Sequence, residues 1–364
     1  MATIQSKSST AARENFGSHR RARLLLPVLL AVCAAACQSN LAQADEGGVS
    51  FWLPGIMGSL SAAPPQPGFA FANIYYHAPP TGGADIAFAR QVTRGNLTVN
   101  FTGNLNLNLR AIADMYAAAP SYTFGTPVLG GRATLSLLVP YMRAKGSVDA
   151  TLTGISGGFT LSGSASDSVT ALGDIAPQFA IAWNAGVHNY MTYVTGNLTT
   201  GSYDPSRLAN TSLGHNAIDA GGAYTYLNPQ TGYEFSAALG FTYNFENTHT
   251  QYQNGIDMHI DWGASKFLSK QLFIGPVGYF YNQLSCDSGS GNRVGCFESR
   301  VAGIGPQIGY IVPLNERYNG YFNLKGYKEF AEEHRAAGWN VWLTFAISPA
   351  GAAPPPATRA IITK

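Results

Sequence analysis

Charged residues and long apolar runs are both scarce in this sequence. Asp, Glu, Lys and Arg make up only 12% of its 364 residues, about half the share usual in soluble domains. No stretch of 18 apolar residues follows the N-terminal region, which excludes a helical membrane protein. The 12% of aromatic residues excludes a disordered chain. Amphipathic segments with helical period are also hard to find, so helices are not expected to dominate.

Motifs for catalysis, metals and cofactors are also missing. The histidines show neither H-x-x-x-H nor H-E-x-x-H spacing, and no phosphate loop or dinucleotide fingerprint occurs. Ser156 lies in a G-x-S-x-G stretch, but without the strand–turn–helix context of a serine nucleophile. The net charge of +2 includes a basic N-terminal segment, and the rest is slightly acidic. We therefore expect no enzyme, no cofactor, no metal site and no nucleic-acid partner.

Residues 1–44 have the pattern of a cleavable export signal. Basic residues ending at Arg23 precede the apolar run Leu24–Ala36, and Ala42-Gln43-Ala44 is a small-x-small cleavage site. The apolar run is too short to cross a hydrocarbon core of ~30 Å as a helix. Cys37 leaves a lipoprotein signal open, and Arg20-Arg21 leaves a twin-arginine signal open.

Alternation of apolar and polar residues recurs beyond the signal. The clearest case is Leu97–Arg110, with Leu, Val and Phe on one face and mostly Asn and Thr on the other. At about 3.3 Å per residue this segment extends about 46 Å, well beyond the usual soluble strand. A soluble β-sandwich would alternate too. The length and the repetition of the pattern therefore favour strands that cross a membrane.

A second clear segment is Thr231–Glu246, where aromatic residues gather at both ends of one face. Tyr and Phe rings at two levels are typical of the two membrane–water interfaces. Other candidate strands cover 69–77, 132–142, 174–184, 187–196, 215–228, 257–265, 271–283, 299–312, 318–330 and 339–348.

The connections complete the prediction of the fold. Short turns alternate with longer loops at 197–214, 247–256 and 284–298, as in outer-membrane barrels. The Gly/Ser/Thr-rich stretch 143–172 is either a long loop or another hairpin. We predict an all-β fold: a single antiparallel transmembrane β-barrel over residues 69–349, with about 12 strands and 10–14 allowed.

The flanks of the barrel are not strands. Residues 45–68 contain Pro64-Pro65-Gln66-Pro67-Gly68, which no strand accommodates. They form either a periplasmic leader or a plug folded into the lumen. The tail 350–364 is rich in Pro and Ala and is expected to be disordered.

The polar face of the strands supplies the candidate site, because it encloses the lumen. Either its residues pair with one another and with water, or some line a solute path in which Arg110 and Lys325 set the charge preference. Asp257, His259 and Asp261 alternate on one strand and could form a pH-sensitive cluster. The predicted lumen residues are Asn100, Asn104, Asn106, Asn108, Arg110, Glu234, Glu246, Asp257, His259, Asp261, Lys325 and Glu329.

Two cysteines remain beyond the signal. Cys286 and Cys296 bracket a Gly/Ser-rich loop, and no metal-binding spacing surrounds them. Oxidising conditions outside the inner membrane favour a disulfide that closes this loop.

A series of short motifs, in this order, resembles the phenol meta-pathway degradation family of outer-membrane proteins. The resemblance covers about 45–349 and is strongest after 170. The motifs are Asp45-Glu46-Gly47-Gly48, Pro67-Gly68-Phe69, Leu172-Gly173-Asp174-Ile175, Gly201-Ser202-Tyr203-Asp204, Arg207-Leu208-Ala209-Asn210, Tyr226-Leu227-Asn228-Pro229, Phe241-Thr242-Tyr243-Asn244-Phe245-Glu246-Asn247, His259-Ile260-Asp261-Trp262, Asp287-Ser288-Gly289-Ser290-Gly291, Gly303-Ile304-Gly305-Pro306-Gln307 and Gly338-Trp339-Asn340.

The resemblance implies a barrel that passes hydrophobic compounds, including aromatic hydrocarbons, across the outer membrane, without catalytic residues. Two features depart from it. Cys286 and Cys296 look like a local addition, and the tail moves the last strand away from the chain end, where barrel-assembly signals usually lie.

The alternating strands predict a barrel in the Gram-negative outer membrane, and the resemblance implies that it is a channel for passive uptake of small hydrophobic or aromatic compounds. The expected partners are outer-membrane lipid and lipopolysaccharide, the barrel-assembly machinery and a small hydrophobic solute. Two alternatives remain open. One is an outer-membrane lipid-modifying enzyme, which needs a serine–histidine pair on the outer surface. The other is a structural or adhesive barrel without transport.

Overall fold

The computed structural model describes residues 50–351 except 95, 96, 155–159, 293–295 and 297. The side chains of 84–105, 152, 154 and 161 are likewise not described. The expected export signal, Ser156 and the tail from residue 352 lie outside the described residues. Within the described part of the chain, no helix is long and apolar enough to cross a membrane.

The described residues form one antiparallel sheet of 14 strands. In chain order the strands are β1 Gly68–Ala78, β2 Thr81–Arg94, β3 Leu97–Thr123, β4 Arg132–Gly154, β5 Thr160–Leu172, β6 Ala176–Ala185, β7 His188–Asn197, β8 Ala217–Asn228, β9 Tyr233–Asn244, β10 Asp257–Phe267, β11 Leu272–Gln283, β12 Arg300–Pro313, β13 Tyr318–Glu333 and β14 Trp339–Pro349.

Twelve of these strands close into a barrel. From β6 to β14 each strand pairs with the next, β14 pairs with β1, and β1 pairs with the C-terminal half of β3. The ring closes because β3 pairs with β4 and β4 pairs with β6. The predicted barrel of about 12 strands is confirmed. Closure removes the unpaired edges that would be costly in lipid.

The other two strands extend the barrel wall at one end. β2 pairs with residues 97–110 of β3, and β5 pairs with residues 141–153 of β4. We call the four-stranded sheet formed by β2, the first half of β3, the second half of β4 and β5 the extension. It leaves the barrel at the end that carries the longer loops 198–216, 245–256 and 284–299. In outer-membrane barrels this end faces the outside, and the short-turn end faces the periplasm.

The barrel wall is apolar outside and polar inside. On β9, Phe235, Leu239 and Phe241 are exposed, whereas Glu234 and Thr242 are almost completely buried. In a soluble protein, by contrast, fully buried polar side chains and large patches of exposed apolar side chains are the exceptions. The pattern repeats around the barrel, so the wall is built to meet lipid with its outer face.

The strongest alternating segment is not a membrane-crossing strand of its own. Leu97–Arg110 is the first half of a 27-residue strand, and it pairs with β2 rather than with the barrel strand β1. The stretch 143–172 belongs to the second half of β4 and to β5, with residues 155–159 outside the description. β2 and residues 111–123 of β3 were not predicted as strands. The second of these has many alanines and a proline, which hide its alternation.

Candidate functional site

A segment of the chain fills the barrel lumen. Residues 50–67, which we call the plug, precede β1 and consist of turns and bends. Trp52 packs with Ala180 of β6 and Tyr193 of β7, and Ala62 packs with Ala223 of β8 and Ala238 of β9. These contacts place residues of the plug against inward-facing side chains of four neighbouring strands.

Asp261 of β10 holds the central turn of the plug. Its carboxylate accepts hydrogen bonds from the backbone N–H of Gly55 at 2.8 Å and of Met57 at 3.0 Å. The indole N–H of Trp52 donates to the same carboxylate at 3.3 Å. Hydrogen bonds to a charged acceptor are about twice as strong as neutral ones, so Asp261 is a principal anchor of the plug.

Lys325 of β13 binds the carbonyl side of the same turn. Its Nζ donates to the carbonyl oxygens of Gly55 at 2.6 Å and of Ile56 and Met57 at 3.1 Å each. Lys325 is 4% exposed, so these carbonyls replace the water that the ammonium group loses on burial. The turn therefore presents its N–H groups to an acid and its carbonyls to a base.

The C-terminal half of the plug is held by side chains of β8, β9, β10 and β12. The backbone N–H of Leu60 donates to Glu234 at 2.9 Å, and that of Ala62 donates to Thr225 at 3.0 Å. The hydroxyls of Ser59 and Ser265 lie 2.7 Å apart, and the amide of Gln307 donates to Ser59 at 2.6 Å. All four wall side chains point inward from their strands.

His259 supports the N-terminal part of the plug. Its ring stacks on Trp52 with centroids 3.8 Å apart and planes inclined by 12°. Nε2 of His259 lies 2.9 Å from Asp219, which also accepts a hydrogen bond from Thr242 at 2.6 Å. The side chains of His259 and Asp219 are fully buried. Trp52 is thus fixed by a stacked ring on one face and by Asp261 at its nitrogen.

The plug also depends on one glycine. Gly55 has φ +87°, and a Cβ at this position would lie 2.9 Å from the ring of Tyr327. A left-handed backbone next to a packed ring requires glycine. This turn brings the N–H and the carbonyl of Gly55 to Asp261 and Lys325, respectively.

Five of the predicted lumen residues lie inside the barrel and bind either the plug or neighbouring strands. Glu234, His259, Asp261 and Lys325 contact the plug. Asp257 accepts hydrogen bonds from Tyr281 and Asn244, both at 2.8 Å.

Glu329 lies near the long-loop end and is partly buried. It accepts hydrogen bonds from the hydroxyl of Tyr279 at 2.7 Å and from the backbone N–H of Gly338 at 2.6 Å. The structure thus uses Glu329 to tie β11 and the β13–β14 connection together.

The remaining predicted residues are not brought into this cluster. Asn106, Asn108 and Arg110 are exposed on the extension, and Glu246 is exposed just past β9. In the described structure, these four residues therefore lie away from the plug. For the first three, the reason is that this half of β3 lies beyond the barrel wall. The side chains of Asn100 and Asn104 are outside the described residues.

The predicted site residues did not include several inward side chains that hold the plug or support His259 beside it. Asp219 and Thr225 lie at inward positions of β8, Ser265 at the end of β10, and Gln307 on β12. Their strands were predicted, and extending the alternation rule to β8 and β12 would have placed them inside. Their contacts could not be predicted, because the sequence of the plug has no periodic pattern.

The loop between β11 and β12 contains the two cysteines beyond the signal. The structure joins Cys286 and Cys296 by a disulfide, ten positions apart. Asp287 within this loop accepts hydrogen bonds from Tyr252 and from the backbone N–H of Gly255. The disulfide loop is thereby attached to the neighbouring loop 245–256.

Comparison with solved structures gives distant likenesses. An outer membrane channel from Pseudomonas putida F1 is 8% identical, with a TM-score of 0.48, and the match covers 78% of this chain and 96% of that one. A FadL homologue from Pseudomonas aeruginosa is 10% identical, with a TM-score of 0.37, and the match covers 85% and 97% of the two chains. No curated protein matches the chain by sequence.

Comparison with protein families, in contrast, gives a match over most of the chain. The family described as "Putative MetA-pathway of phenol degradation" matches residues 90–345, well over half of the chain. The resemblance that the ordered motifs predicted is thereby confirmed. The chain, a plugged twelve-stranded barrel, belongs to this phenol-degradation family.

Proposed function

We propose that the protein is a Gram-negative outer-membrane channel for passive passage of small hydrophobic or aromatic compounds. The observation that carries the proposal is how the plug is held in the lumen. In the described structure, every hydrogen bond between the plug and the wall involves at least one side chain of the wall or of the plug. The plug can therefore shift without breaking the backbone pairing that keeps the barrel closed.

The surroundings of the barrel support the location. A closed ring of strands with an apolar outer face is stable only in lipid, and barrels of this kind occur in outer membranes. Because this apolar outer face must be covered, the lipid of the outer membrane is the expected partner. Contacts with lipopolysaccharide and with the barrel-assembly machinery are part of the proposal.

The solute class rests on the family and on the lumen. The family is described in terms of phenol degradation, which supports aromatic solutes. Within the lumen, Trp52, Ile56 and Met57 of the plug face apolar wall residues such as Ala180 and Met191. The proposed solute path runs between these surfaces, past Glu234, Asp257, His259, Asp261, Lys325 and Glu329.

The proposal can be tested by locking the plug. Ser59 and Ser265 have their Oγ atoms 2.7 Å apart, so the double variant Ser59→Cys/Ser265→Cys should form a disulfide between plug and wall. We expect uptake of a labelled single-ring aromatic compound to be lost in a deletion strain and restored by the wild type. The locked variant should restore it only after treatment with a reductant.

The controls separate the possible outcomes. Each single cysteine variant and the reductant-treated wild type should take up the compound normally. Equal uptake in the deletion and complemented strains would contradict the transport role. If uptake requires the protein but is unaffected by the disulfide, the channel function stands and the proposal that the plug moves is rejected. Planar-bilayer conductance after reduction of the locked variant distinguishes a channel from an adhesive barrel.

A further inference from the structure

A cavity of about 200 Å³ lies between the plug and the barrel wall. The plug contributes Trp52, Ile56 and Met57 to its lining, and the wall contributes residues of β3, β4, β6 and β7. For scale, an apolar protein cavity of about 150 Å³ is enough to bind benzene. The space therefore has room for one aromatic ring with a small substituent.

The cavity has a polar strip along one side. Ser136 of β4 pairs in register with Gln178 of β6, and Gln178 pairs with Thr195 of β7. Directly opposed residues on neighbouring strands have Cβ atoms about 5 Å apart. Three polar side chains thus follow one another across three strands, and all three line the cavity.

All three members of this strip have unused hydrogen-bonding capacity. The Thr195 hydroxyl donates to the carbonyl of Pro177 at 3.0 Å and can still accept. Within the described part of the chain, the hydroxyl of Ser136 and the amide of Gln178 have no hydrogen-bond partner. A group that both donates and accepts would satisfy them, since an amide offers N–H and carbonyl and a hydroxyl offers both roles.

The opposite side of the cavity is apolar and well supported. Trp52 is held by its stack on His259 and by its hydrogen bond to Asp261. Met57 lies beside it, and a thioether adapts its shape to an aromatic ring. None of the residues that line the cavity is charged. A carboxylate would therefore lose its water there without gaining a cation.

The pairing of two wall strands has a short gap beside the cavity. The pairing of β3 with β4 skips Ala119 and Pro120 opposite Leu138 and Leu137. Proline has no N–H to contribute to the ladder. Leu137 lines the cavity together with both of its neighbours, Ser136 and Leu138.

We infer that this cavity is a binding site for a neutral single-ring aromatic compound with one hydrogen-bonding substituent, such as a phenol. The ring lies against Trp52 and Met57, and the substituent meets Ser136 and Gln178. This inference rests on the proposed function and specifies its solute. It also makes the plug one half of the binding site, so a bound compound stabilises the plug in the lumen.

The test is ligand-observed fluorine NMR with the purified full chain in detergent micelles, with empty micelles as the baseline. We expect 4-fluorophenol to bind with one-to-one stoichiometry and more tightly than fluorobenzene, and 4-fluorobenzoate not to bind. The variant Gln178→Leu should lower the preference for fluorophenol over fluorobenzene about fivefold to tenfold. The control Gln230→Leu, in an exposed turn, should leave it unchanged.

A second variant fills the space. Ala176→Phe places a ring in the cavity and should abolish specific binding of both neutral compounds. Its folding is checked by the heat-dependent gel shift of intact barrels. Equal binding by the wild type, Gln178→Leu and Ala176→Phe would overturn the inference, as would equal binding of fluorobenzoate. Failure here together with protein-dependent uptake in cells would reject this site and leave the channel function intact.

Discussion

Gly263 of β10 lies so close to Ser59 of the plug that a Cβ on Gly263 would come within 2.6 Å of the Ser59 backbone nitrogen. The wall and the plug therefore touch backbone to backbone at this position, between the anchors Asp261 and Ser265. We predict that Gly263→Leu pushes the plug out of place. Single-channel conductance in a planar bilayer should rise relative to the wild type.

The control for this prediction is another glycine of the wall. Gly326 of β13 alternates with the inward residues Lys325 and Tyr327, and its position has no close neighbour on the side-chain side. Gly326→Leu adds the same side chain without touching the plug, so its conductance should match the wild type. Equal conductance in both leucine variants would show that the plug does not block the pore.

Lys325 offers a second way to release the plug. Lys325→Met keeps the length of the side chain and removes three hydrogen bonds to plug carbonyls. A hydrogen bond to a charged group contributes about 2 kcal/mol, so losing the contribution of even one of the three should raise the open population about thirtyfold. More frequent channel openings would show this. Lys328→Met, on an exposed outward position of the same strand, should have no such effect.

The barrel could be predicted from the sequence because contact with lipid requires each strand to alternate between apolar and polar residues. Residues of β9 and β10 alternate between a largely apolar outer face and a largely polar inner face, so pattern alone places Glu234 and Asp261 inside. The same rule failed at Leu97–Arg110. A regular strand keeps alternating when it leaves the membrane, and nothing in its own residues marks where the wall ends.

The position of the plug could not be predicted from residue patterns, for a different reason. Residues 50–67 have no period, and their position depends on contacts more than 150 positions away, such as Gly55 with Asp261 and Lys325. A Pro-rich segment before a barrel is compatible with a leader or a plug. The match between its N–H and carbonyl groups and the side chains of the wall leaves no mark in the segment's own sequence.

Arg207 should keep the loop 198–216 docked on the extension even in acid. Its guanidinium binds Asp167 of β5 at 2.8 Å and 2.9 Å, and this lowers the pKa of Asp167 from 3.8 to about 2. A lowered pKa means that the pair persists above that value and is lost as the pH falls through it. At pH 3, where an ordinary aspartate is mostly protonated, the loop should still resist pepsin.

The matched variants for this experiment are Arg207→Gln and Arg110→Gln. The first removes the two-point pair and should expose the loop to pepsin at pH 3. The second removes an ion pair with Asp149 at 3.9 Å whose side chains are 71% and 51% exposed, and such pairs contribute little. Similar cleavage of both variants would argue against a specific role of Arg207.

The outer face of β9 allows a direct test of membrane insertion. Leu239 is exposed midway between the aromatic residues Phe235 and Tyr243, at the level where the hydrocarbon core should lie. Leu239→Arg should destabilise the inserted barrel by about 2–4 kcal/mol, since an arginine at the midplane of a barrel costs that much. Thr248→Arg, in an exposed loop, should change stability little. Urea titrations of the barrel folded into lipid vesicles measure both, and equal stability of the two variants would mean that Leu239 does not face lipid.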